Sequence, residues 1–400
     1  SLAAHDVVVV TTNYRLGVFG FLYGGEDTAP GNVGLFDQQM ALKWVRDNIH
    51  AFGGDRDQIT IFGESAGSVS VSTHILSPQS KGLFKRAIME SGALMFNRDR
   101  PPVGSDEGLF NAKKFAKLLN CTESNPKWLD CLRGVSAQAL IDVNPGYTVE
   151  NPVFGTEFLP LNTRQAFDSY HYNRDIDVMA GLTQNEGPWV ALFFYNQTHD
   201  PHFDLDTLKA LVTMLSETFH NINVDKVLEY YTKNIDTKNP DALKKAFFEF
   251  DGDIQIKCPT YHFIKQFAKG LNTSADDGNG VYLYEWTYQS MNFEKSSGCR
   301  SSVEGICHMA ELEFVFGDYV RAPTPLTTKL DIEFSLETIK IWTDFAKYGT
   351  PNASTLWPKV TIDRQTDSLA NVKDMNPNNM TNILMNPFEN PCDLFWKQYF

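Results

Sequence analysis

No apolar run in the 400-residue chain approaches the ~18 residues that a membrane-crossing helix needs; the longest conspicuous one, Trp189 to Tyr195, is far too short. Basic residues are in deficit, with 35 Lys and Arg against 49 Asp and Glu and a formal net charge of −14. A phosphate-binding surface wants the opposite sign, so nucleic acid is not an expected partner. An acidic surface can draw in cationic substrates or simply keep a protein dispersed, and charge does not choose between these. Cysteine is scarce, and none of the six forms a CxxC pair, which disfavours zinc; no metal or organic cofactor is expected. Internal repeats, low-complexity tracts and linkers are missing too, so residues 1–400 are expected to form one elaborated domain. The chain also shows no initiator Met, charged n-region or apolar h-region. It runs almost at once into Val7-Val8-Val9-Val10, which reads as a core strand entered abruptly, and so as an N-terminally truncated or processed chain.

What is present suits a large core. Hydrophobic residues make up 42% of the sequence and aromatics 13%, with 29 phenylalanines, which excludes disorder as the default state. Five Asn-x-Ser/Thr sequons begin at Asn120, Asn196, Asn272, Asn352 and Asn379. One sequon means little, but five beside an even number of cysteines favour an oxidising, secretory route and a secreted or extracellular protein.

Residues Val7 to Thr12 are β-branched throughout, as in a strand buried on both faces. Leu35 to Phe52 then recurs with helical spacing through Phe36, Met40, Trp44 or Val45, and Ile49, and stops at Gly53-Gly54. Strand-like stretches follow at Gln58–Phe62, Ala87–Met89, Val178–Leu182 and Val281–Trp286. Helical ones lie at Ala66 to about Leu76 and at Leu330–Tyr348, the latter with Leu336, Ile339, Trp342 or Thr343, and Ala346 on one face. Strand and helix in alternation predict crossover units and an α/β fold with a mostly parallel sheet flanked by helices. Roughly residues 200–260 read as a helical insertion.

The pentapeptide Gly63-Glu64-Ser65-Ala66-Gly67 occurs once, between a strand-like and a helix-like stretch. A serine hydroxyl needs exposure on a rigid support and a base within reach. A sharp strand-to-helix turn provides the first, and glycines two residues to either side relieve its crowding. In that turn the N–H of the next residue, Ala66, points at a developing oxyanion, assisted by the helix dipole. An acid and then a base are expected downstream. Of nine histidines, His5 and His50 precede the serine, His74 lies on its own helix, and His199 and His202 form a weak HxxH motif in a surface-like loop. His308 stands between a Ser/Gly-rich loop and the amphipathic Glu311–Phe316, and Glu186 follows a strand in Thr183-Gln184-Asn185-Glu186-Gly187. Pattern alone leaves both assignments open.

Read together, Asn13-Tyr14-Arg15-Leu16-Gly17, Gly31 to Gln39, Phe52-Gly53-Gly54-Asp55, Ile61 to Gly67, Glu90-Ser91-Gly92, Asn185-Glu186-Gly187 and His308 to Gly317 resemble the type-B carboxylesterase and cholinesterase family over nearly the whole chain. The resemblance implies an α/β-hydrolase fold whose N-terminal strands lie outside this sequence, and a serine esterase acting on small carboxylic esters. It implies Ser65 as nucleophile, Glu186 as acid, His308 as base and Ala66 as an oxyanion donor. Glu64 becomes the acidic neighbour of the nucleophile, Ser91 a hydroxyl near the triad, and Arg15 with Asp37 a buried structural ion pair. It further implies the disulfides Cys121–Cys131 and Cys258–Cys392, and a homodimer as a candidate assembly. Cys299 and Cys307 have no family counterpart; as the remaining two, flanking a short loop, they are expected to pair and to help hold His308.

Three departures from the family pattern bear on specificity. The family's glycine-rich oxyanion segment and its choline-binding aromatic belong upstream of Ser1. Gly146 and Thr148 stand near where acyl-pocket aromatics are expected, which implies a roomy acyl site. Trp189 and Val190 occupy positions where cholinesterases tend to carry two aromatics. These departures favour a general carboxylesterase over an acetylcholinesterase. A binding protein that has lost catalysis is the alternative from another class, and retention of all three triad residues argues against it.

Overall fold

The computed structural model describes residues 1–95, 103–122, 127–143, 149, 151–219, 222–271, 279–352, 355–363 and 365–400. Its centre is a sheet of strands β1 (Thr60–Glu64), β2 (Arg86–Glu90), β3 (Asp177–Thr183), β4 (Val281–Trp286), β5 (Val372–Met375) and β6 (Ile383–Leu384). The strands lie side by side in chain order; β1 to β5 run parallel and β6 closes the edge antiparallel. Each expected strand from Gln58 to Trp286 is therefore found within a few residues of its expected bounds.

Helices α1 (Val33–Asn48), α2 (Ala66–Leu76), α3 (Gly187–Phe194), α4 (Leu205–Phe219), α5 (Val224–Thr232), α6 (Pro240–Gly252), α7 (Cys258–Gly270) and α8 (Lys329–Tyr348) carry most of the remaining core. The pleat divides that core by residue parity. Ala87, Met89, Val178, Ala180, Leu182, Val281 and Leu283 face Val71 and Ile75 of α2 and Phe263 and Phe267 of α7. Ile88, Met179, Tyr282, Tyr284 and Trp286 face Ile339, Trp342 and Phe345 of α8 and Phe314. Local chemistry sets the ends of α8: the Thr328 hydroxyl accepts from Asp331 N–H, Asp331 accepts in return from Thr328 N–H, and Gly349 stops the helix at φ +73°. The helices expected near 200–260 are α4, α5 and α6, and the chain continues through Asp253–Lys257 into α7.

Three expectations need correction. Val7 to Thr12 belongs to no strand, and Val8, Val9 and Val10 are exposed. A β-branched run favours strand conformation but does not supply the neighbour whose amides complete a ladder. Met40 and Trp44 lie on the exposed side of α1, which buries Gly34, Leu35, Gln38 and Gln39 instead; likewise Leu336 is exposed while α8 buries Phe334, Thr338, Ile341 and Phe345. Periodicity found the helices, and Ile339, Trp342 and Thr343 of the stripe expected on α8 are buried, but Met40, Trp44 and Leu336 fall outside the core. Finally, Arg15 and Asp37 do pair, Nη2 to Oδ1 at 2.7 Å, but the Arg15 side chain is 55% exposed, so the pair is a surface one.

Candidate active site

Parallel strands end at the same edge of a sheet, so the residues just beyond β1, β2 and β3 converge. Ser65 follows β1, Ser91 follows β2, and Glu186 lies in the loop between β3 and α3. Ser65 sits at φ +55°, ψ −118°, a costly conformation for a residue with a side chain, and its N–H donates to the Glu90 carbonyl at 2.9 Å. The turn is this tight because α2 starts immediately afterwards. A Cβ on Gly63 would lie 2.6 Å from the Gly67 backbone, and one on Gly92 would lie 2.6 Å from the Ser65 carbonyl oxygen. A Cβ on Gly67 would meet nothing within 4 Å, so only the first glycine of the pentapeptide relieves crowding in the way the motif suggested. Ala66 is the exposed first residue of α2, and its N–H is among those a helix leaves without an internal acceptor.

Glu186 is buried at the centre of a donor cluster. Ser91 Oγ–H and Thr183 N–H both reach Oε1 at 2.7 Å, and His308 Nδ1 lies 2.6 Å from Oε2. With Nδ1–H assigned as donor to Glu186, the lone pair of a neutral imidazole falls on Nε2. Nε2 lies 3.0 Å from Glu64 Oε1, outside hydrogen-bond geometry. Among the described residues no hydrogen bond joins His308 to Ser65. The structure thus brings Glu186 and His308 together and sets Glu64 beside the imidazole.

The strand register explains a second feature. Glu64 pairs with Glu90 across β1 and β2, Glu90 with Gly181, and Gly181 with Tyr284, so the side chains of Glu64, Glu90 and Tyr284 fall in one row. Glu311, one turn beyond His308, joins them. Burial, then the charges of Glu311, Glu186 and Glu90, hold the Glu64 carboxyl well above the usual range. Burial does the same to Glu311, and it pushes Glu90 up to about 7 against a hydrogen bond from Trp342. Uncharged carboxyls are therefore favoured around the Glu186–His308 pair near neutral pH. Glu90 and Glu311 lay within stretches the sequence singled out, but their shared burial follows from register, which no motif records.

Of the other site residues, Trp189 on α3 lies 6.1 Å from the His308 ring, centroid to centroid, and stacks on Phe193 at 5.3 Å. Val190 is buried in the core cluster that also holds Ala191 and Tyr195. Gly146 and Thr148 lie outside the described residues, as does Asn272. Asn120, Asn196, Asn352 and Asn379 are exposed. His74 is buried between Ser80 and Gln38, and burial pushes it down to about 4, which suits a neutral core residue. His199 and His202 join no metal-holding group among the described residues.

The cysteines pair as expected: Cys121 with Cys131, Cys258 with Cys392, and Cys299 with Cys307, with Cα separations of 5.6, 5.1 and 6.5 Å. The second ties α7 to the C-terminal segment, and the third closes the loop that leads into His308. No helix among the described residues is long and apolar enough to cross a membrane.

Residues 1–391 match the carboxylesterase family. The chain is 32% identical to an acetylcholinesterase of Danio rerio over 90% of its own length and 62% of the relative's. It is 31% identical to a cholinesterase of Mus musculus, covering 98% of this chain and 64% of that one. It is 33% identical to the pyrethroid hydrolase Ces2a of Mus musculus, covering 91% and 63%. The chain thus spans slightly less than two thirds of the length of these relatives. With a mostly parallel sheet, helices on both faces and a serine at the strand-to-helix turn, the chain has the α/β-hydrolase fold and belongs to the carboxylesterase family.

Proposed function

We propose that the protein is a serine hydrolase of carboxylic esters that works through an acyl-enzyme on Ser65, with His308 as general base and Glu186 as the acid that orients it. The observation that carries this reading is the 2.6 Å contact between His308 Nδ1 and Glu186 Oε2, beside a serine held at positive φ. As the Ser65 hydroxyl attacks the ester carbonyl, His308 Nε2 takes its proton and Glu186 stabilises the resulting imidazolium. The Ala66 N–H faces the oxyanion. When the tetrahedral intermediate collapses, the same proton passes to the departing alkoxide. Water then attacks the acyl-enzyme, gives its proton to His308 and releases the acid, and Ser65 recovers its hydrogen.

Fluorophosphonate labelling with peptide mapping on the full-length protein tests this, beside a Ser65→Ala control. The expected result is an adduct on Ser65 and none in the variant; wild-type protein with no adduct there refutes the mechanism.

Within this class a general carboxylesterase is the preferred reading, supported by the core-facing Val190, which leaves Trp189 as the aromatic of the pair beside the base. Choline-ester hydrolysis is the second reading. Trp189 stacked on Phe193 could hold a quaternary ammonium over its face, in a protein of net charge −14. Comparing thiocholine esters with naphthyl esters separates the two, because a strong preference for the cationic ester selects the second. Three disulfides and four exposed sequon asparagines support a secretory route.

A further inference from the structure

The backbone of the loop leading into His308 is held at several points. Asn185, the residue before Glu186, exchanges two bonds with Ile306: its N–H donates to the Ile306 carbonyl at 2.9 Å, and its Oδ1 accepts the Ile306 N–H at 3.0 Å. Asn185 and Cys307 pair as an isolated parallel bridge, so the chain segments that deliver Glu186 and His308 run side by side. From the other side comes Gln289, just past the end of β4 and only 8% exposed. Its Nε2 donates to the Cys299 carbonyl at 2.8 Å, and its Oε1 accepts the Cys307 N–H at 2.9 Å. One buried amide therefore grips both half-cystines of the loop that their disulfide closes. Beyond His308 the chain turns sharply, with Met309 at φ +72°.

We propose that Gln289 is a positioning residue for the esterase reaction: by bridging Cys299 and Cys307 it fixes the backbone one residue before His308 and so keeps the imidazole on Glu186. This rests on the reading of Ser65, His308 and Glu186 given above. The disulfide limits how far the two ends of the loop can separate, but rotation about its side-chain bonds leaves them free to shear. Two directional hydrogen bonds to backbone groups remove that freedom. The bond to Cys307 N–H matters most, because a shift there is passed to His308 through a single peptide unit. Displacement of a catalytic group by about 1 Å commonly costs as much as a hundredfold in rate. The bond to Cys299 holds the far end of the loop and matters less.

The test uses the full-length protein with Gln289→Met, which keeps length and shape but makes neither bond, and Gln289→Glu, which keeps an acceptor for Cys307 N–H. Turnover of a nitrophenyl ester, the rate of Ser65 labelling by a fluorophosphonate and the thermal midpoint are measured for each. Q289M should lower kcat and the labelling rate together by about tenfold to a hundredfold, with KM within about twofold of wild type. Q289E should restore most of kcat. Wild-type kcat in Q289M overturns the inference, as does an equal loss in both variants that tracks their thermal midpoints. An unlabelled Ser65 in wild-type protein overturns the esterase reading and this inference with it; labelled wild type beside an unimpaired Q289M overturns this inference alone.

Discussion

His308 Nε2 lies 3.0 Å from Oε1 of Glu64, the residue immediately before Ser65, at an angle that makes no hydrogen bond. On its other side the same ring is held firmly, through Nδ1, by Glu186. The ring is thus anchored at one nitrogen and merely crowded at the other. Burial and the neighbouring carboxyls favour the uncharged form of Glu64, so at neutral pH the crowding group is an acid with a proton of its own.

Glu64→Gln replaces that neutral acid with a neutral amide of the same shape. Because no formed bond is lost, kcat/KM for a neutral ester should change by less than about tenfold, the equivalent of one ordinary hydrogen bond. Steady-state kinetics on a nitrophenyl ester measure it. A fall beyond a hundredfold would show that the ionised carboxylate is needed and that the burial argument is wrong.

Ser91→Ala removes one of the two donors on Glu186 Oε1 and leaves Thr183 N–H in place. A hydrogen bond to a charged group is worth about 1.5–3 kcal/mol, and part of that is retained by the remaining donor. The expected outcome is a drop in kcat of about tenfold with KM unchanged, since Ser91 acts on the acid rather than on substrate. A change confined to KM would place Ser91 at the substrate instead.

The sequence disclosed much of this site because its chemistry is local. A Gly-x-Ser-x-Gly pentapeptide between an apolar strand-like run and a helical one marks a strand-to-helix turn, and strands of contiguous apolar residues mark a sheet buried on both faces. Register and side-chain reach are not local. Nothing in Thr287-Tyr288-Gln289-Ser290 indicates that Gln289 will meet two cysteines, the nearer ten positions away and the other eighteen. The row of Glu64, Glu90 and Tyr284 likewise exists only because four strands align in that register. The exposed Met40 and Trp44 make the same point, since a helical stripe records what is apolar and not what covers it.

The two disulfides away from the site differ in the loop they close, 10 residues for Cys121–Cys131 and 134 for Cys258–Cys392. In the chain-entropy account a short loop contributes about 3 kcal/mol and a loop beyond a hundred residues about 5. Cys258→Ala with Cys392→Ala should therefore destabilise the full-length protein by about 2 kcal/mol more than Cys121→Ala with Cys131→Ala. Denaturant midpoints of the two double variants measure the difference. Equal losses would place the stabilisation in local packing rather than in chain closure.

Glu90 makes the stability of the protein depend on pH in a stated direction. Its carboxyl is buried, with the Trp342 Nε1–H at 3.1 Å from Oε1, and burial raises it from 4.5 to about 7. Below pH 4.5 it is protonated in both folded and unfolded chains and contributes no pH dependence. As pH rises from there the unfolded chain releases the proton while the folded chain keeps it, so folding becomes less favourable until about pH 7, where the folded chain ionises too. The loss over that window is about 3 kcal/mol. Glu90→Gln keeps an oxygen for Trp342 and has no proton to lose. Between pH 4.5 and pH 8 the variant should lose about 3 kcal/mol less stability than wild type, as measured by denaturant unfolding of full-length protein at both values. Asp251 and Glu285, which burial also raises to about 7, remain in both proteins, so their slope cancels in the comparison. Identical pH dependence in the two would mean that Glu90 ionises in the folded protein as readily as in the unfolded chain.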